Sequence, residues 1–259
     1  MKQTALVTGA SGGIGEDLAR LIAANGDNVV LVARSAGKLQ ALADELSRAH
    51  TIVASVLTAD LSLPGAGEDV ANRLAGRGVT VDILVNNAGF GTFNPFVRDD
   101  PRQLADMLQV NVAALTMLTR FLLPGMIERR KGRILNVAST AAFQPGPFMA
   151  VYYASKAYVL SLSEALAEET EGTGVTVTCL CPGPTRTGFQ ERAHIQKTRL
   201  LSVMSVMTSA EVARAGYDGM MAGRSLVVPG VRNKIGVQSL RFVPRRVATK
   251  LVRSLNADA

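Results

Sequence analysis

Tyr152 and Lys156 stand four apart in the run Tyr152-Tyr-Ala-Ser-Lys156, so on a helix they share a face. A phenol beside an ammonium is a proton-exchange device. Free tyrosine titrates near pH 10, too high for efficient exchange at neutral pH. Lowering that value by about 3 units takes roughly 4 kcal/mol of phenolate stabilisation. One ammonium at about 4 Å in a partly screened site supplies a similar amount. Tyr153 is three residues from the lysine, so spacing alone leaves both tyrosines open. A third polar group, Ser139, ends the apolar run Ile134-Leu-Asn-Val-Ala-Ser139, which places its hydroxyl at the carboxyl edge of a strand.

A phosphate-binding turn precedes these residues. The segment Thr8-Gly-Ala-Ser-Gly-Gly-Ile-Gly15 follows a short apolar run and leads into an amphipathic pattern with Leu18, Leu21 and Ile22. Gly9 permits a tight strand-to-helix turn, and Gly13 and Gly15 let a pyrophosphate and the helix approach the backbone. Ser11 and Ile14 lie inside the same turn, where free helix N–H groups attract phosphate. An acid about 20 residues further on would hold a ribose 2′-hydroxyl. Here the second run ends Val29-Val-Leu-Val-Ala-Arg34, with Lys38 following and no acid. A cation at that point suits a 2′-phosphate, so NADP(H) is expected over NAD(H).

The elements that must carry these groups alternate. Apolar, β-branched runs at 3–8, 28–33, 52–58, 81–86, 133–138, 175–181 and 225–228 predict strands. Helical periodicity falls at 14–25, 37–48, 66–76, 101–123, 152–170 and 209–221. Strands that are apolar on both faces, separated by helices, predict an α/β fold with a doubly wound parallel sheet of about seven strands and helices on both faces. The dinucleotide-binding and catalytic domain is expected over 1–230, with 184–208 as a substrate-covering segment. Within that segment Phe189, Ile195, Leu200, Leu201, Val203, Met204, Val206 and Met207 suit an apolar substrate or packing against the body or another subunit.

Residues 231–259 form a basic extension. Residues 219–257 carry eight Lys and Arg and no acid, out of a net charge of +7, so the rest nets −1. Leu240, Val243, Val247, Leu251 and Leu255 are spaced as one stripe of a helix opened by Pro244. Such a stripe packs on the same domain or a neighbouring subunit in preference to an anionic membrane surface. No recognition motif accompanies the charge, so nucleic acid is not an expected partner. Cys179 and Cys181, the only cysteines, have no evident ligand set with His50 and His194, so no metal is expected and reduced buried thiols suit a cytoplasmic setting. The glycine turn replaces a secretory h-region, and no run approaches 18 apolar residues, so neither a signal peptide nor a transmembrane helix is expected.

Taken in order along the chain, these motifs resemble those of the short-chain dehydrogenase/reductase family, in its single-domain, NADP-preferring form, over essentially the full length. The glycine segment matches at Gly9, Gly13 and Gly15, the adenine-contacting aspartate at Asp60 followed by Leu61, and the signature after the fourth strand at Asn86-Asn87-Ala88-Gly89. Asn111 matches the catalytic asparagine, Ser139 the serine and Tyr152 with Lys156 the Tyr-x-x-x-Lys pair. Pro182-Gly183 with Thr185 and Thr187 match the segment after the sixth strand. The resemblance implies hydride transfer between nicotinamide and a ketone or secondary alcohol. Ser139 would then bind the carbonyl oxygen and Tyr152 would protonate it. Lys156 would hold the ribose and lower the tyrosine pKa, and Asn111 would anchor a water relay. A homodimer or homotetramer is implied as well. A non-catalytic NADP-binding sensor or scaffold is the competing reading, against which the complete Asn111, Ser139, Tyr152, Lys156 set counts.

Overall fold

The computed structural model describes residues 2–193 and 206–256. Seven parallel strands form one sheet: β1 (Thr4–Thr8), β2 (Asn28–Ala33), β3 (Ala54–Thr58), β4 (Ile83–Asn86), β5 (Gly132–Val137), β6 (Val175–Leu180) and β7 (Leu226–Val227). Their order is β3-β2-β1-β4-β5-β6-β7. The chain therefore winds outward in one direction from β1 and, after β3, in the other from β4. The gap where that direction reverses, between β1 and β4, is where open α/β sheets bind ligands.

Side chains alternate across each strand, and the sheet buries both faces. Val7, Leu31 and Val85 pack on one side with Leu18, Ile22, Leu39 and Leu46. These come from α1 (Gly13–Ala24) and α2 (Ala36–Ala49). On the other side Leu6, Val30, Leu84 and Ile134 meet Val70, Leu74 and Leu118. These belong to α3 (Ala66–Gly76) and α5 (Leu115–Glu128). Each fully buried Leu or Ile contributes about 1.5–3 kcal/mol, which is why the strands read as continuous apolar runs. The doubly wound parallel sheet predicted from the sequence is present, with its seven strands and helices on both faces.

The helix predicted over 101–123 departs from its regular period. It begins as α4 (Pro101–Leu108), passes through a π turn at Gln109–Ala114, and continues as α5 to Glu128. The π turn absorbs the extra residue and turns Asn111 inward, where its side chain is 1% exposed. By length and composition Pro101–Glu128 could cross a bilayer, a property that a count of consecutive apolar residues does not register. α6 (Ala150–Glu169) carries the Tyr-x-x-x-Lys pair, and α7 (Ser209–Met221) returns the chain to β7.

Two further helices, α8 (Val231–Ser239) and α9 (Arg245–Asn256), follow β7. The predicted apolar stripe is not the buried face of α9. Ala248, Val252 and Asn256 are buried, whereas Val247 and Leu251 are exposed. Asn256 sets this rotation: its Nδ2 donates to the Pro147 carbonyl at 2.9 Å. The small side chains Ala248 and Val252 then fit against the body. Of the predicted covering segment, Thr185–Arg186 pairs with Met207–Thr208, and Phe189–Arg192 forms a short helical turn. Ile195, Leu200, Leu201, Val203 and Met204 lie outside the described residues.

Candidate active site

The glycine turn is held by β4. Thr8 Oγ1 donates to the Val85 carbonyl and accepts the Asn87 and Ala88 amides at 3.0 and 3.1 Å. Asn87 Nδ2 donates to the Thr8 and Gly9 carbonyls at 3.0 and 3.2 Å. Little room remains: a Cβ on Gly15 would stand 2.3 Å from Asn87 Nδ2 and 2.5 Å from the Gly9 carbonyl oxygen. Gly9 and Gly13 have φ of +66° and +59°, conformations that favour glycine. Gly13 faces the Thr187 side chain, where a Cβ would come within 3.1 Å. Gly13 is thus the contact with the segment after β6, while Gly15 is the close packing of turn on strand.

A continuous cavity of about 870 Å³ runs along the carboxyl edge of the sheet. It is lined by Gly9, Ser11, Gly13 and Ile14 of the turn and by Arg34, Lys38, Asp60 and Leu61 near β2 and β3. Ala88 and Gly89 after β4, then Ser139, Tyr152 and Lys156, form the middle, and Pro182, Gly183, Thr185 and Thr187 close one wall. Gly15 and Asn111 do not line it; both are buried behind its wall. At one end the Arg34 guanidinium is 60% exposed and stands 3.9 Å from Asp60. A surface pair of this kind is worth about 0–1 kcal/mol, so it would yield to a phosphate. Burial opposes ionisation of Asp60. Hydrogen bonds from the Ser62 amide and hydroxyl, with Arg34 nearby, nevertheless hold its carboxyl below the usual range.

At the other end are the candidate catalytic groups. Ser139 Oγ accepts the Ala141 amide at 3.1 Å and lies 3.4 Å from the Pro182 carbonyl. Its hydroxyl faces the same cavity as the Tyr152 phenol. Burial pushes the Tyr152 phenol up from its ordinary value, and the Ser139 contact opposes that shift. Lys156 Nζ donates to the Val137 carbonyl at 2.8 Å and sits 5.8 Å from the Tyr152 ring centre. Its own pKa is pushed down to about 8 by burial, which the neighbouring Cys179 and Cys181 oppose. Burial, rather than the lysine, dominates the shift of the Tyr152 phenol. Desolvation by burial is the largest influence on both groups, and the ammonium donates to a backbone carbonyl.

Asn111 reaches the site from the π turn. Its Nδ2 donates to the Phe90 carbonyl at 2.9 Å and to Ser155 Oγ at 3.0 Å, and its Oδ1 accepts the Phe90 amide at 3.1 Å. Those bonds fix the chain after Gly89, where a Cβ would fall 3.1 Å from Asn111 Oδ1 and 3.2 Å from Lys156 Nζ. A ribose and nicotinamide would need such a bare backbone, and two cations, Arg34 and Lys38, line the far end. The residues present fit a nicotinamide dinucleotide.

The structure separates the two tyrosines. Tyr152 meets the Phe189 ring at 5.2 Å, whereas Tyr153 packs over Gly146. The sequence reading missed Gln144, Met149, Phe189 as a partner of Tyr152, and the inner faces of α8 and α9, all of which line the cavity. Val252 shares an apolar cluster with Tyr152, Tyr153 and Phe189. A clue existed at Gly183: a Cβ there would stand 2.5 Å from Asn233 Nδ2, so its glycine makes room for α8. Cys179 and Cys181 are free and buried, with their sulfurs 3.7 Å apart. Among the described residues no cluster of metal-ligating side chains occurs.

Comparison with known proteins gives concordant results. A family model described as short chain dehydrogenase matches residues 3–198. A very-long-chain 3-oxoacyl-CoA reductase of Anas platyrhynchos is 37% identical over 184 residues, which are 69% of this chain and 58% of that relative. For it and similar relatives the match takes in little more than half of their own length. Nodulation protein G of Rhizobium sp. (strain N33) is 37% identical over 215 residues, 82% of this chain and 86% of the relative. A short-chain dehydrogenase from Sphingobium yanoikuyae, solved in complex with NADPH, superposes with a TM-score of 0.84 at 31% identity, covering 95% of each chain.

Proposed function

The chain belongs to the short-chain dehydrogenase/reductase family of oxidoreductases, and on that premise we propose that it moves a hydride between NADP(H) and a ketone or secondary alcohol of an apolar molecule. The observation that carries the reading is one cavity with a cationic end at Arg34 and Lys38 and a proton-exchange end at Ser139, Tyr152 and Lys156. When bound, the nicotinamide supplies or accepts the hydride.

The chain's own residues do the rest. Arg34 and Lys38 would take the 2′-phosphate, and the backbone from Gly9 to Gly15 the pyrophosphate. In the reductive direction Ser139 donates a hydrogen bond to the substrate oxygen, polarising the carbonyl. Tyr152 passes its phenolic proton to that oxygen as negative charge develops. Lys156, which donates to the Val137 carbonyl, would also donate to the ribose hydroxyls. Asn111 keeps Phe90 and Ser155 in register around the pair. Phe189, Met149 and Val252 supply the apolar walls. Those walls support an aliphatic or alicyclic substrate, and the similarity to a reductase of very-long-chain 3-oxoacyl-CoA points the same way.

Oxidation of NADPH by a panel of ketones, followed by loss of its absorbance, tests the reading. Tyr152→Phe should abolish turnover while leaving NADPH affinity intact; unchanged turnover removes the mechanism. Arg34→Ala should lower the NADP-over-NAD preference by about ten- to a hundredfold in kcat/KM, the worth of one charge-assisted contact. An unchanged preference removes the cofactor assignment.

A further inference from the structure

The outer face of α8 and α9 takes no part in the chemistry above. It exposes Val231, Ile235, Phe242, Val247 and Leu251, with Phe242 at 87%. Arg241, Arg245, Arg246, Lys250 and Arg253 lie among them, and no acid occurs between residues 219 and 257. On α9 the arrangement is ordered around the helix. Ala248 and Val252 face inward, and Val247 and Leu251 form an exposed strip beside them. Arg246, Lys250 and Arg253 occupy the next sector, since successive residues turn by about 100°. Phe96 and Val97, exposed at 61% and 89%, belong to the same surface: Phe96 shares a hollow with Lys250 and Arg253.

We propose that this face docks on an anionic lipid bilayer. The exposed apolar strip and Phe242 would enter the boundary between headgroups and acyl chains, and the flanking cations would meet the lipid phosphates. Two observations select the bilayer. A second copy placed symmetrically would oppose cations to cations, since an isologous contact pairs a surface with itself. An acidic protein partner would satisfy the cations but has no use for a Phe-Val-Leu strip flush with them. The position of the face points the same way. Leu240, Leu251 and Leu255 line the active-site cavity, and Leu251 is also part of the exposed strip. The cavity wall and the docking face thus adjoin along one helix and share Leu251, which would let an apolar substrate pass from lipid to Tyr152 along α9.

Sedimentation of the full chain with vesicles tests this without cofactor or turnover. Vesicles of phosphatidylcholine alone and of phosphatidylcholine with one quarter phosphatidylglycerol should differ: the chain pellets with the second, less so as salt rises. Phe242→Ser with Val247→Ser, and separately Arg245→Glu with Arg246→Glu, should each weaken the partition at least about tenfold with unchanged melting temperature. Because the chain has no tryptophan, Phe242→Trp gives a single reporter whose emission should shift to the blue on the anionic vesicles. The proposal is overturned if the wild type stays in the supernatant with both vesicles or the emission of the Phe242→Trp variant does not move. It is equally overturned if only the charge reversal matters, which would leave a surface for acidic macromolecules. A wild-type dimer that Phe242→Ser with Val247→Ser dissociates, with no vesicle binding, would assign the face to a second copy.

Discussion

Lys156 shows how a side chain proposed for chemistry is held at a cost to the fold. It is 5% exposed, its ammonium donates to the Val137 carbonyl, and its pKa falls from 10.5 to about 8. A lysine whose folded value lies below its unfolded one loses affinity for its proton on folding. The penalty is full below about pH 8 and fades as pH rises toward 10.5. At pH 7 it is on the order of 3 kcal/mol. Lys156→Met should therefore raise the melting temperature at pH 7 and raise it less at pH 10, while NADPH turnover is lost; equal gains at both pH values would show that desolvation is not the cause. The types and spacing of Ser139, Tyr152 and Lys156 were legible in the sequence. The sign of the tyrosine shift was not, because spacing carries no record of burial or of the carbonyl at Val137 that takes the ammonium.

Helices and turns set where these groups point, and here glycines with different duties can be told apart. Gly15→Ala forces a Cβ to within 2.5 Å of the Gly9 carbonyl oxygen, whereas at Gly12 an added Cβ meets nothing within 4 Å and φ is extended. Thermal melting should show Gly15→Ala destabilised by about 2 kcal/mol or more and Gly12→Ala close to wild type. The sequence marked the first turn correctly because its glycines follow a strand directly. It did not reveal the π turn at 109–114, since the apolar periodicity runs through Val110 and Val112 regardless of one extra residue. Nor did it reveal which side of α9 is buried. The stripe at Val247 and Leu251 has the better apolar pattern, but the hydrogen bond from Asn256 to Pro147 turns Ala248 and Val252 inward. Val252→Phe should accordingly raise KM for bulky ketones by about tenfold and spare small ones, a difference measurable across a graded ketone series.

On the scale of the whole molecule, the winding order β3-β2-β1-β4-β5-β6-β7 brings residues as far apart as Gly9 and Leu255 to one cavity. That convergence could be anticipated for the cofactor half, whose turn and strand ends follow from the βαβ alternation. The far half could not, because α8 and α9 lie beyond the last strand and no repeating pattern ties them to the sheet. The same cavity extends without interruption from Arg34 to Leu255, and under the proposed function this would set a queue. A ketone seated first against Ser139 would stand where the nicotinamide must pass, whereas a dinucleotide seated first leaves the α9 side open. Initial-rate patterns should show a sequential mechanism in which the dinucleotide enters first and departs last. Oxidised dinucleotide should then inhibit competitively against the reduced form and non-competitively against the ketone. Product alcohol that competed with NADPH would show instead that the two occupants arrive independently.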